Sequence, residues 1–237
     1  MSDSFAPNKR NADFLIVRRF RDGKPSRAYR AKRINIKPKL LCKECNNVKL
    51  GYVEDRFFKP LVEPMMLKGR NVTFNEENIL TLAVWAFKTL LVSNHTYYNP
   101  PFFYSLEDSK RFMKSMIPPE QNLRIWLFRF RSNGPEGHIC PLDLFPTATI
   151  PASLKHLRQY ALTFIAGRFG FQIHAISGED RDLTGLLPPP SVWDAQTVQM
   201  WPCNTNNLCW PPPKDLRSSQ YDSFSTRFGG TPPPDAF

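Results

Sequence analysis

Two early stretches, residues 14–20 (FLIVRRF) and 28–36 (AYRAKRINI), are rich in β-forming residues. Between them lies RDGKPS, whose Asp22-Gly23 pair is a strong hairpin signal. In the second strand Tyr29, Ala31 and Arg33 fall on one face, and Arg30, Lys32, Ile34 and Ile36 on the other. Most of its charges are therefore expected to meet solvent or a ligand. Pro38 closes the strand. From residue 46 to about 67 the period lengthens: Val48, Tyr52 and Val53, then Phe57, Leu61 and Met65, recur three or four residues apart. That spacing predicts a helix, which Pro60 and Pro64 should kink or divide. The run Thr73 to Glu77 reads as a helix start, with acids at the positive end of the dipole. The following ILTLAVWAFKTLLV, residues 79–92, is apolar on nearly every side and too short to span a bilayer, which predicts a buried core helix.

A third helix is expected over residues 106–116, after which the pattern returns to strands. Residues 123–130 (LRIWLFRF) alternate, residues 160–176 read as a hairpin with Gly167-Arg168-Phe169-Gly170 near its turn, and a short strand falls near 198–201. Gly167 to Gly170 is a turn rather than a phosphate loop, since it lacks a Lys-Ser/Thr end and a strand-to-helix setting. No internal repeat is visible. The order hairpin, cysteine pair, helices, strands predicts an α+β fold. Three segments are expected: 1–70, a basic hairpin with the cysteine pair; 71–210, an α+β body; and 211–237, a Pro-rich tail. The 237 residues include 23 prolines against 11 glycines, clustered late as Pro188–Pro190, Pro211–Pro213 and Pro232–Pro234. Such runs favour extended backbone, so a tail crossing the body is expected rather than a third globule.

Charge changes the picture because it is lopsided. Residues 1–70 hold 18 Lys+Arg and 7 Asp+Glu, a net of +11, while residues 71–237 hold 14 of each and are neutral. A basic block beside a cysteine knuckle points to an anionic polymer, with phosphate the leading candidate. Arg18, Arg19, Arg21, Lys24, Arg27, Arg30, Lys32, Arg33 and Lys49 are the candidate contacts. No apolar run is long enough for a membrane span, and the opening MSDSFAPNKR has no apolar core behind its charges. A cytoplasmic protein with reduced thiols is expected, and five cysteines, an odd count, argue against a disulfide framework.

Cys42-x-x-Cys45 places two thiols where one tetrahedral ion can take both, but structural zinc sites take four protein ligands. Two cysteines are half a site. Cys203 and Cys209 are spaced by five residues, which is not a knuckle, and Cys140 reads as an ordinary buried cysteine. The paired acids Glu76-Glu77 and Glu107-Asp108 sit at helix starts, where the dipole is reason enough for them. No Ser-His-Asp or glycosidase constellation emerges.

The stretch Leu41-Cys42-x-x-Cys45-Asn46-x-x-Lys49, followed by Gly51 and Glu54, resembles the second knuckle of HNH-type endonucleases and their degenerate relatives. It is most similar to a bacterial and phage group of HNH-like proteins with a CxxCN motif, then Gly-Trp-Met-Ser and a Leu-Glu pair that open a helix. Here Val53-Glu54 stands for the Leu-Glu pair, and Val48 to Gly51 replace Gly-Trp-Met-Ser. KPLVEPMM, Ala83 to Thr89, residues 162–172 and the pairs Trp201-Pro202 and Trp210-Pro211 extend the similarity over most of residues 27–228. The resemblance implies a ββα-metal, treble-clef-like unit that hydrolyses phosphodiesters, usually of DNA. A histidine base acts on water there, and a divalent ion such as magnesium stabilises the charge on the scissile phosphate. By position, Asn46 takes the place of the helix-borne metal ligand, and Cys42 and Cys45 those of two structural zinc ligands.

The departure from that pattern is equally specific. The HNH base precedes the knuckle, but His95, His138, His156 and His174 all follow it. Each is expected to serve at the surface or in the core. The first CxxC is missing too. Either the front of a functional HNH-like gene lies upstream of Met1, or the protein has lost catalysis and keeps its basic hairpin as a binding module. The expectation is therefore a nucleic-acid-binding HNH relative, inactive or a fragment of an endonuclease. The alternative is a phage or mobile-element structural protein that uses residues 79–92 and the Trp-Pro segments for assembly.

Overall fold

The computed structural model describes residues 15–21, 24–31, 50–97, 103–131, 137–144, 158–176, 193–203 and 205–228. Strands β1 (Leu15–Arg21) and β2 (Lys24–Ala31) form an antiparallel hairpin, with a register shift between Arg19 and Phe20. Strand β2 starts at Lys24, earlier than the side-chain pattern suggests, because a two-residue connection lets pairing resume at once.

The helical stretch after the cysteine pair changes character along its length. Helix α1 (Leu50–Val53) runs into a π-helical segment, Glu54–Val62, and then into α2 (Glu63–Lys68). Pro60 lies inside the π segment. It offers no N–H and crowds the carbonyl one α-turn back, and a wider turn relieves both problems. Gly69, at φ 63°, caps α2 and donates its N–H to Met65 O at 3.0 Å.

Of residues 73–77, read from sequence as a helix start, the first three belong to strand β3 (Val72–Asn75) instead, and the helix begins at Glu76. The strand passes directly into α3 (Glu76–Tyr97), and Asn75 Oδ1 accepts the Asn78 N–H at 2.9 Å. Helix α4 (Leu106–Ser115) opens with a reciprocal capping box between Ser105 and Asp108. Buried Asn94 of α3 ties the intervening segment by donating to Tyr104 O and accepting from Phe103 N.

The remaining strands are β4 (Leu123–Arg131), β5 (Gly137–Leu144), β6 (Gln159–Ala166), β7 (Phe169–Ile176), β8 (Thr197–Trp201), β9 (Asn207–Trp210) and β10 (Leu216–Arg217). The main sheet has the order β10-β4-β7-β6-β5, with β8 also paired to β4. Its pairings are antiparallel except β10 with β4. Strand β9 pairs with β3. This is a mixed helical and antiparallel α+β fold.

Helix α3 supplies the ring at the centre of the larger core: Trp85 stands edge-on to Phe164 and Phe171, each at 5.4 Å between ring centroids. The opposite sheet face is covered too. Phe128, Phe130, Ala161 and Ile165 pack there against Leu216 and against Tyr221 and Phe224 of α5 (Tyr221–Ser225). With both faces covered, β6 and β7 are buried at every position. The proline-rich stretch from residue 211 thus leads into a strap that lies across this second face. Both Trp-Pro bonds, Trp201-Pro202 and Trp210-Pro211, are cis, and their indoles donate to Pro119 O and Phe128 O.

Candidate functional site

Cys42, Cys45, Asn46, Lys49, Lys32 and Arg33 lie outside the described residues, and so does the knuckle they belong to. Arg18, Arg19, Arg21, Lys24, Arg27 and Arg30 belong to the β1–β2 hairpin. Its register sets Arg19 opposite Arg27 and Arg21 opposite Lys24, while Arg18 meets Ala28 and Arg30 meets Ile16. Like charges at directly opposed strand positions repel.

The histidines are spread through the chain rather than gathered. His138 stands on β5 opposite Ile165, and His156 lies outside the described residues. His95 is half-buried near the end of α3, and burial lowers its pKa. His174 is fully buried on β7, with its Nε2 2.9 Å from Gln159 Oε1. Because an amide oxygen can only accept, Nε2 carries the proton and Nδ1 is left as an acceptor. Burial, and secondarily the positive charge of Arg227, push the His174 pKa down to about 3.

Around His174 lies a polar cluster under the strap. Gln172 Nε2 donates to Thr163 Oγ1 at 2.9 Å and to Phe224 O at 3.1 Å. Phe228 stacks on the imidazole with centroids 4.1 Å apart. The Arg227 guanidinium carbon sits 4.9, 4.6 and 4.7 Å from the rings of Trp126, Phe224 and Phe228. Burial pushes the Arg227 pKa down to about 9, with Asp194 acting in the opposite sense. Among the described residues, His174 Nδ1, Gln172 Oε1, Trp126 Nε1 and all three Arg227 nitrogens are buried without a hydrogen-bond partner. The imidazole is enclosed, and the cluster ties the strap to the sheet through the Gln172 bond to Phe224 O and the Phe228 stack on His174.

An open cleft lies where β10 joins β4. It has a volume of about 440 Å³ and is lined by Arg131, Gln196, Lys214, Asp215, Arg217 and Gln220. Its three cations are exposed, while the Asp215 carboxylate is engaged by Arg129 Nε. The Arg217 N–H donates to Gln220 Oε1 at 3.0 Å, and the Lys214 N–H to Ala195 O at 2.8 Å. Sequence reasoning missed this cleft because Arg131 and Arg217 are far apart in the chain and meet only through a two-residue parallel pairing.

Comparison with family models, curated proteins and solved structures finds no match to this chain. The residues themselves therefore carry the functional reading. Among the described residues no group of three or more His, Cys, Asp or Glu stands together to hold a metal ion. Cys203 Sγ donates to Thr205 O, and Cys209 Sγ lies 3.8 Å from Thr73 Oγ1, so each thiol has its own local partner. A closed structural zinc site takes four protein ligands, of which Cys42 and Cys45, outside the described residues, would be two. Also among the described residues, no helix is long and apolar enough to cross a membrane.

Proposed function

We propose that this chain is a nucleic-acid-binding relative of HNH endonucleases, with DNA as its partner, either inactive or a fragment of a metal-dependent endonuclease. The observation that carries the reading is the β1–β2 register, which sets Arg19 opposite Arg27 and Arg21 opposite Lys24 within the segment holding the whole charge excess. A phosphate backbone supplies closely spaced anions that offset the like-charge repulsion. Loss of a positioned base costs typically ~10²–10⁴-fold in such hydrolysis, so binding is the activity to test first. The alternative of an assembly protein gains little from residues 79–92, because most of their apolar side chains are used in the core.

The test is fluorescence anisotropy with a short labelled duplex across a range of salt concentrations. Affinity should fall steeply from low to physiological salt, because each neutralised phosphate releases counterions. The variant Arg19→Gln with Arg27→Gln should flatten the log–log slope by about 2, at roughly 0.9 per contact. Salt-insensitive binding, or a slope unchanged in that variant, would remove the hairpin from the interface.

A further inference from the structure

We infer that the cleft between β4, β10 and the strap binds a phosphate-bearing nucleotide unit, either within a single-stranded nucleic acid or as a free mononucleotide. This deepens the nucleic-acid reading by adding a contact on the body of the chain, and it does not depend on the hairpin.

Parallel pairing makes Arg217 the register partner of Arg131. Neighbouring strands lie about 4.8 Å apart, so two guanidinium-bearing residues start side by side with no acid between them. Lys214 adds a third cation to the same wall. Among the described residues Arg131, Lys214 and Arg217 are in no ion pair, while Arg129 pairs with Asp215 and so occupies the carboxylate that lines the cleft. What remains is an open concavity with a net positive lining, which is the arrangement that attracts and orients an anion.

Phosphate fits better than a single carboxylate. Two adjacent guanidinium forks and an ammonium offer more donors than two oxygens can take, and Arg forks match the tetrahedral edges of a phosphate. The amides add the rest of a nucleotide's chemistry. Gln220 has its oxygen committed to the Arg217 N–H, which leaves its NH₂ as the donating end. Gln196 also lines the cleft, so a second amide side chain stands beside the cationic corner. Amide groups there suit the edge of a base or the hydroxyls of a sugar. The volume of about 440 Å³ lies within the roughly 300–1,000 Å³ typical of small-ligand sites.

The experiment uses the full chain and two probes: AMP carrying a methylanthraniloyl fluorophore, and the single-stranded tetranucleotide dT4. Saturable binding of at least one is expected, weakened about tenfold or more in Lys214→Gln with Arg217→Gln, since charge-assisted hydrogen bonds are each worth about a factor of ten. The charge-preserving pair Lys214→Arg with Arg217→Lys should retain most of it, and the hairpin variant Arg19→Gln with Arg27→Gln should leave it unchanged. Binding of labelled AMP identifies a free-nucleotide site, and binding of dT4 alone identifies a strand contact. If the neutralised pair melts early, exposed Arg131→Gln carries the same test. The inference is overturned if neither probe saturates, or if both bind equally well to the neutralised variants. Loss of duplex binding in the hairpin variant is a separate result that bears only on the hairpin.

Discussion

At His174 the sheet holds an imidazole neutral, because burial and the nearby Arg227 cation both oppose its protonation. The unfolded chain has no such constraint, so its histidine protonates near the ordinary pH of about 6.5. Between that pH and about 3 the unfolded state binds more protons than the folded one, and stability must fall as pH drops through this window. A tenfold difference in proton affinity is worth about 1.4 kcal/mol, which makes the loss several kcal/mol by the bottom of the window. Urea titrations at pH 7 and pH 4.5 should show this loss, and His174→Gln, which keeps a donor for Gln159 without the titration, should reduce it. An unchanged pH dependence in that variant would place the acid sensitivity elsewhere. The sequence assigned each histidine a surface or core role, and the deep burial of His174 agrees with that. It held no sign of the Gln159 partner, which is brought there by β-sheet pairing. Arg227 was hidden for a similar reason: an arginine before Phe228 and a glycine pair reads as a solvated tail residue until Phe224 and Phe228 are seen to enclose it.

Among the elements, those with long, regular periods were legible: the β1–β2 turn, the apolar helix α3, α4, and the β6–β7 hairpin. The short strands β3, β9 and β10 were not, because two to four residues are too few for a period, and their pairing partners lie far away in sequence. The β6–β7 hairpin shows how a local turn acquires a tertiary duty. Gly167 takes φ 59°, and the next residue, Arg168, donates its N–H to Met66 O at 2.9 Å and accepts from Phe130 N at 2.8 Å. A Cβ on Gly167 would stand 2.5 Å from that same Met66 carbonyl, which is backbone and has little room to yield. Gly167→Ala therefore meets two penalties, a left-handed conformation costing about 1–2 kcal/mol and a clash that pushes the turn off α2. Chemical denaturation should show a loss of at least ~1–2 kcal/mol. A neutral result would mean that the turn can release Met66 without consequence.

Over the whole molecule, net charge by sequence thirds separated a basic front from a neutral remainder, and that sum concealed the cleft. Asp215 cancels a cation in the count, but in the fold it pairs with Arg129 and leaves Arg131, Lys214 and Arg217 unbalanced at the surface. The knuckle raises the opposite question, whether two residues adjacent in sequence have anything to complete them. A closed structural zinc site needs four ligands, and Cys42 and Cys45 supply two. Two thiolates alone leave half the coordination shell to water, which forfeits most of the binding energy that couples zinc to folding. If the two thiols stand alone, zinc in the purified chain should fall well below one per chain, and Cys42→Ser with Cys45→Ser should leave both metal content and melting temperature unchanged. About one zinc per chain, lost in the double variant together with stability, would mean that ligands elsewhere in this chain or in a second copy close the site. The hairpin would then sit beside an intact metal knuckle, and DNA cleavage with added magnesium would be the assay to run next.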